Sequence, residues 1–203
     1  MEILNLLFPE FEKRKNDGIP KWDDLGVPWE IIDDGELGIK SQILKIVEDG
    51  IFIHPTATIG ENVTIEGPCY IGKDVVIRHN AYLRGGSWIC DGSLVGHSTE
   101  IKNSILLPNS NAPHFNYVGD SIIGFGVNLG AGVKLSNVRN DRSEIIVDAG
   151  KFGRIPTGMR KLGALVGDHS QIGCNVVTNP GTIIHPDSMI RPNETVSGYF
   201  YTK

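Results

Sequence analysis

The sequence predicts an all-β chain wound as a parallel solenoid, and three observations lead there. First, an aliphatic residue returns at every sixth position from Ile53 to Leu107: Ile53, Ile59, Ile65, Ile71, Ile77, Leu83, Ile89, Val95, Ile101 and Leu107. Second, a mostly small residue follows four positions later, as at Ala57, Cys69, Ala81, Ser87, Ser93 and Thr99, and Gly often sits just after the beat, as at Gly60, Gly72 and Gly96. Third, 25 Gly and 11 Pro accompany only 7% aromatic residues, which suits a turn-rich coil filled by stacked aliphatics. A period of six is neither the 3.6 of a helix nor plain alternation, so it marks a structural repeat. One strand and one corner per hexad, closed as a three-sided coil, place the beat residue inside and the small residue at the cramped corner. Three hexads then make one turn of eighteen residues.

The other elements follow in chain order. Residues 1–50 lack the hexad. Ile3 to Phe8 form a short apolar patch, Gly18, Pro20, Gly26 and Pro28 punctuate a loop, and a helical pattern runs toward Asp49 with Ser41 as its expected N-cap. A solenoid's first coil exposes core and strand edges, so 1–50 is expected to be an N-terminal helical cap on a β-helix domain at 51–203. The beat falters after Leu107 and resumes at Ile123, sixteen residues on, which predicts a loop leaving the coil over 108–120. A second excursion, 137–164, reads as a projecting hairpin with a strand at 143–147, a turn at 149–153 and a return limb at 155–157. It is rich in Arg and Lys. Regularity returns at Val166, Ile172, Thr178, Ile184, Ile190 and Val196, followed by a short tail to Lys203.

Composition narrows the function. A net charge of −5 argues against a general nucleic-acid surface. No apolar run reaches membrane-spanning length, and Met1 to Lys15 is too acidic and too interrupted for a signal peptide, so no membrane partner and a cytoplasmic location are expected. Three cysteines, Cys69, Cys90 and Cys174, lack metal-ligand spacing, and no close His pair begins a zinc site. No metal is expected.

The coil register gives one geometric inference. Arg84 and Lys102 each follow a beat residue, and 102 − 84 = 18 is one full turn. They should lie on one side of adjacent coils, separated by about the strand spacing of ~4.8 Å. Cations that close repel unless carboxylates or a bound anion sit between them, and a phosphate suits a guanidinium fork beside a point charge. Two solvated cations softened by Glu100 are the alternative. His114 is a second candidate, since a neutral imidazole can take a proton near physiological pH; a merely exposed loop histidine is the competing reading.

The run Ala81-Tyr82-Leu83-Arg84, Glu100-Ile101-Lys102, His114-Phe115-Asn116-Tyr117-Val118-Gly119-Asp120 and Val127-Asn128-Leu129-Gly130-Ala131-Gly132 resembles a known family. It is similar to the acetyltransferase domain of the bifunctional glucosamine-1-phosphate acetyltransferase and N-acetylglucosamine-1-phosphate uridyltransferase, over roughly 51–137 in register and more loosely from 164. That resemblance implies a left-handed parallel β-helix, the hexapeptide-repeat solenoid, whose crossovers depart from the usual right-handed rule. It implies His114 as the base on the substrate amine, Arg84 and Lys102 on the sugar phosphate, Tyr117 and Asn128 on the sugar or its phosphate, and Asn137 beside the reacting acyl group. Ala131, and Cys174 where the family has a small hydroxyl residue, would border coenzyme A. It further implies acetyl-CoA as acyl donor and a homotrimer with sites between neighbouring helices. Besides Cys174, two features depart from the family. After Asn137 comes Val138-Arg139-Asn140 and the insertion, where the family has an Asn-Tyr-Asp-Gly segment and a substrate-binding lysine, and no Gly-rich nucleotide loop near the N-terminus supports a uridyltransferase half. The expected function is N-acyl transfer to a phosphorylated amino sugar. The alternative is a non-catalytic sugar-phosphate or nucleotide-sugar binder, or a scaffold beside a separate nucleotidyltransferase.

Overall fold

In the computed structural model, strands of two to four residues alternate with corners, and every third strand stacks in parallel on the one a coil earlier. The structure describes residues 2–14 and 17–202; Met1, Lys15, Asn16 and Lys203, which belong to the expected cap and tail, lie outside the described residues. Three sheets of eight, seven and seven strands form the faces of a left-handed parallel β-helix. The first face begins at Ile51–Ile53, the second at Thr58–Ile59 and the third at Thr64–Ile65. Backbone groups are paired between coils, so the axis is filled by side chains alone. Cys69, Ile71, Ile77, Leu83, Ile89, Val95 and Ile101 stack there at 0–1% exposure, and the same column continues through Val118, Leu129, Leu135, Val166 and Ile184.

The register corrects one expectation. Ile51 pairs with Cys69 and Cys69 with Ser87, both eighteen residues apart, but Ser87 pairs with Ser104 and Ile105 with Ile122, seventeen apart. The inward residue after Ile101 is therefore Leu106, five positions on, while Leu107 turns outward. No loop leaves the coil over 108–120. That segment supplies the strands Asn111–His114 and Tyr117–Gly119, paired to their neighbours on the second and third faces. Two corners are each one residue short, between Ile101 and Leu106 and between Val118 and Ile123, which shifts the beat just as an inserted loop would and costs fewer unsatisfied backbone groups.

The first face differs from the others because its outward residues are also apolar: Trp88, Ile105, Ile122, Leu165 and Ile183 are all buried. Two segments cover them. The N-terminal part, with helices Glu2–Leu7 and Ile39–Ile46, contributes Leu7, Phe8, Trp29, Ile31, Ile32 and Ile43 to one cluster with this face. Each such side chain contributes about 1.5–3 kcal/mol on full burial. Polar ties fix the placement: Trp88 Nε1 donates to Gly18 O at 2.7 Å, Asn103 Nδ2 to Ile32 O at 2.8 Å, and Asp168 N to Leu7 O at 3.0 Å. The cap thus lies along the flank and leaves the first coil's end open, with Ile53 41% and Ile59 37% exposed. Helix Ile39–Ile46 is capped by Gly38, and the expected cap Ser41 instead donates its hydroxyl to Gly35 O.

The insertion pairs Ile146–Asp148 antiparallel with Arg154–Pro156 across a 3-10 turn at Gly150–Phe152. Expected to project, the hairpin lies against the first face instead: Ile145, Val147, Ala149 and Leu162 are buried in the cluster that holds Leu165 and Ile183. Its alternating apolar residues need a surface, and the C-terminal half of the first face supplies one. The second and third faces keep outward residues such as Val76, Asn128, Tyr82 and Tyr117 partly exposed. Among the described residues no helix is long and apolar enough to cross a membrane.

Candidate active site

On the third face Leu83 pairs with Ile101 and Ile101 with Val118, so Arg84 and Lys102 follow on adjacent coils as the register predicts. Carboxylates answer their repulsion. Arg84 Nη1 meets Glu100 Oε1 at 2.9 Å, and this hydrogen bond raises the guanidinium's pKa. Lys102 Nζ meets Asp120 Oδ2 at 2.9 Å, with 19% and 4% of the two side chains exposed. Asp120 also accepts Asn103 Nδ2 at 2.9 Å and a short hydrogen bond from Asn137 Nδ2. Asn137 in turn is hydrogen-bonded to the Tyr117 phenol, whose pKa is raised by burial and then by the nearby Asp120 and Glu100. Gly119 makes this meeting possible: a Cβ there would stand 2.6 Å from Tyr117 Oη and 2.9 Å from Asn137 Nδ2. The Arg84–Glu100 pair and the Lys102, Asp120, Asn137 and Tyr117 network lie side by side, since Glu100 pairs with Tyr117 on the next coil, and make one polar patch.

A second group lies at the corner between the second and third faces. His114 ends the strand Asn111–His114 and pairs with His97 of the coil before, whose ring stacks on His79 with centroids 4.3 Å apart. The next residue in each coil takes the left-handed conformation, at Asn80, Ser98, Phe115, Gly132 and Asn175, and makes the corner. Gly132 N donates to His114 O and Asn175 N to Ala131 O, so His114, Ala131 and Cys174 occupy equivalent positions of successive coils. Asn116 braces the corner: its Oδ1 accepts His114 N at 3.0 Å and its Nδ2 donates to Gly130 O at 2.7 Å. The His114 and Cys174 side chains are exposed, and Phe115 beside them is 57% exposed. Asn128 stands on the second face between Asn111 and Gln171.

The structure brings Arg84, Lys102, Tyr117 and Asn137 together and sets His114, Ala131 and Cys174 in a column along the adjoining edge. Among the described residues no hydrogen bond or ion pair joins the His114 ring to the patch, and Asn128 stays apart from both groups. Asp120 and Asn116 are the members that the sequence argument gave no role. Asp120 carried a signal that went unused, since it stands eighteen residues beyond Lys102; the shortened coil puts Gly119 opposite Lys102, and Asp120 reaches it from one residue on. Among the described residues no three His, Cys, Asp or Glu side chains are grouped to hold a metal ion.

No family model matches the chain. Curated relatives do. A bifunctional sugar-1-phosphate nucleotidylyltransferase/acetyltransferase of Sulfurisphaera tokodaii is 40% identical over 186 residues, covering 87% of this chain and 46% of its own length. Bifunctional protein GlmU of Methanococcus maripaludis strain C5 is 34% identical over 190 residues, covering 85% and 44% respectively. An uncharacterized acetyltransferase of Escherichia coli K12, YaiX, is 33% identical over 170 residues, which cover 79% of this chain and 73% of YaiX. The chain belongs to the hexapeptide-repeat acyltransferases. This acyltransferase spans under half the length of the two bifunctional relatives, whereas it matches most of YaiX.

Proposed function

We propose that the chain transfers an acetyl group from acetyl-CoA to the amine of a phosphorylated amino sugar, most simply glucosamine-1-phosphate on the way to UDP-N-acetylglucosamine. One observation carries the reading: the register-matched cations Arg84 and Lys102 stand beside Tyr117 and Asn137 on a face left partly exposed. A sugar phosphate would exchange with the carboxylates on those cations, as charge-assisted bonds to phosphate are strong. His114 takes a proton from the substrate ammonium. The freed nitrogen lone pair attacks the thioester carbonyl, the tetrahedral intermediate collapses with cleavage of the carbon–sulfur bond, and the second proton shed by the nitrogen goes to the departing coenzyme A thiolate. One Asn137 amide N–H, exchanged from Tyr117 as substrate binds, donates to the developing oxyanion. Tyr117 and Asn128 contact the sugar, while Ala131 and the exposed Cys174 border the coenzyme. Holding both substrates in line supplies much of the remaining acceleration.

His114 lies on an edge and the patch on a face, so this reading has the site completed between copies, the corner of one against the third face of the next, in a homotrimer. The first face is already covered by the chain's own segments, which leaves the second and third for that contact. A nucleotidyltransferase consuming the N-acetylated sugar phosphate is the partner this chemistry calls for, and acetyl-CoA as donor suits a cytoplasmic location.

The test is thiol release from acetyl-CoA with a panel of amino sugar phosphates, comparing the chain with His114→Ala. Turnover that the substitution abolishes, with sugar-phosphate binding retained, is the expected result. A non-catalytic sugar-phosphate binder is the second reading, favoured by the absence of any side-chain hydrogen bond orienting the His114 ring among the described residues. Tight binding without thiol release from any acyl donor would replace the first reading with the second.

A further inference from the structure

Where the third face turns into the first, a cleft of about 510 Å³ opens between three parts of the chain distant in sequence. The N-terminal segment contributes Asp33, Asp34 and Lys40, the coil contributes Lys102 and Asp120, and the returning limb of the insertion contributes Arg160 and Lys161. Its wall is a built one. Asn103, only 6% exposed, donates to both Ile32 O and Asp120 Oδ1, which ties the N-terminal segment to the coil.

The charges in it are unevenly matched. Lys40 Nζ is held by Asp34 at 2.7 Å and Lys102 Nζ by Asp120 at 2.9 Å. Arg160 and Lys161 are exposed and have no ion pair among the described residues. Four cations against three carboxylates leave a positive balance in a concave site. Their fields converge: the Asp34 carboxyl is held below its ordinary range, first by the hydrogen bond from Lys40 and further by the charges of Lys102 and Lys161. Lys102 belongs both to this cleft and to the polar patch on the third face, so the two are continuous. A scaffold that needed only solvated cations has no cause to bring them from three segments to one hollow.

We propose that this cleft is a phosphate-binding subsite in which Arg160 and Lys161 of the insertion, with Lys40 of the N-terminal segment, extend the cationic ground around Lys102. These two residues bring the insertion's charge beside the same patch as Lys102. The ligand class is a small molecule bearing a phosphate ester or diphosphate. Three sources share that chemistry: a sugar phosphate, a nucleotide sugar and the phosphates of coenzyme A. The inference rests on the acyl-transfer reading only for which of them is the physiological occupant.

Isothermal titration with inorganic pyrophosphate as the probe tests it, on the full chain and on the double variant Arg160→Gln/Lys161→Gln. Both side chains are exposed, so the variant should fold, and Lys151→Gln/Arg154→Gln, which removes two exposed insertion cations outside the cleft, controls for net charge. Charge-assisted contacts of this kind give a loss of affinity of about tenfold or more in the double variant and little change in the control. Parallel titrations with glucosamine-1-phosphate, a UDP-linked sugar, and coenzyme A against dephospho-coenzyme A identify the source, since the true occupant weakens in step with pyrophosphate. Unchanged binding of every probe in Arg160→Gln/Lys161→Gln, or equal weakening by Lys151→Gln/Arg154→Gln, overturns the subsite. The thiol-release assay on the same proteins separates the two claims. Absent turnover with intact, variant-sensitive pyrophosphate binding removes acyl transfer alone; normal turnover with variant-insensitive binding removes the subsite alone.

Discussion

Replacing Asp120 by Ala should destabilise the chain by more than any other single change on the polar patch. The carboxylate is nearly buried and accepts from Lys102 Nζ, Asn103 Nδ2 and Asn137 Nδ2 at once. Removing one partner of a buried ion pair costs about 3–5 kcal/mol, mostly because the other charge is left stranded. Here Lys102 retains 19% exposure and can draw water, and Asn103 keeps its bond to Ile32 O, so about 2–3 kcal/mol is the better expectation. For a chain of this size that is a fall in Tm of about 8 °C. Thermal unfolding followed by circular dichroism at fixed protein concentration measures it. The reasoning makes a second demand: Lys102→Met should relieve the stranded charge, so the double variant should be less destabilised than the sum of the single ones by about 1 kcal/mol or more. Turnover below the melting range should also fall, because Asn137 loses its anchor. An Asp120→Ala protein within about 0.5 kcal/mol of the parent, or strict additivity with Lys102→Met, would refute the idea that this carboxylate organises the patch.

Arg84 gives the contrasting case. Its side chain is 38% exposed, so Arg84→Ala should change stability by no more than about 1 kcal/mol while raising the KM for the sugar phosphate about tenfold, as steady-state kinetics beside a melting curve would show. Asp168 makes stability depend on pH. It is fully buried between the coil and the N-terminal segment, and burial pushes its carboxyl up to about 6 against 3.8 ordinarily, with hydrogen bonds from Glu10 N and Phe125 N only partly offsetting this. The folded chain therefore holds this proton more tightly than the unfolded one. The stabilisation is complete below about pH 4 and is lost as pH rises through about 6, a swing of about 3 kcal/mol. Urea midpoints of the parent minus those of Asp168→Asn should fall across that window, and a flat difference would contradict the assignment. Deleting 1–50 uncovers the part of the first face that the insertion does not reach, Trp88, Ile105 and Ile122, so the truncated chain should self-associate in light scattering even with its coil intact.

The coil was readable because its geometry admits little else. A side chain on the axis meets identical positions above and below, so each must be a compact apolar group, and the six-residue beat records that demand directly. What the beat could not show was a slip. Leu106 and Leu107 are both leucines, and with one pointing inward and the other outward the pattern alone does not choose between them, whereas a shift of one residue exchanges the faces of a strand. The eighteen-residue spacing that matched Arg84 to Lys102 points on to Asp120, and although the slip pairs the backbone of Gly119 with Lys102, the Asp120 side chain still reaches it. The N-terminal segment and the insertion were placed less well for a different reason: their position depends on a surface that the beat ignores. Yet that surface was written in the sequence. Tyr70, Trp88, Ile105, Ile122, Leu165 and Ile183 each stand one residue before an inward position of the first face, and a strand apolar on both sides must be covered on both. The second and third faces lack such an outward column. Covering one face with two segments is also what brings Lys40 and the Arg160–Lys161 pair to the corner beside Lys102, so the demand for apolar cover and the gathering of charge have a single structural cause.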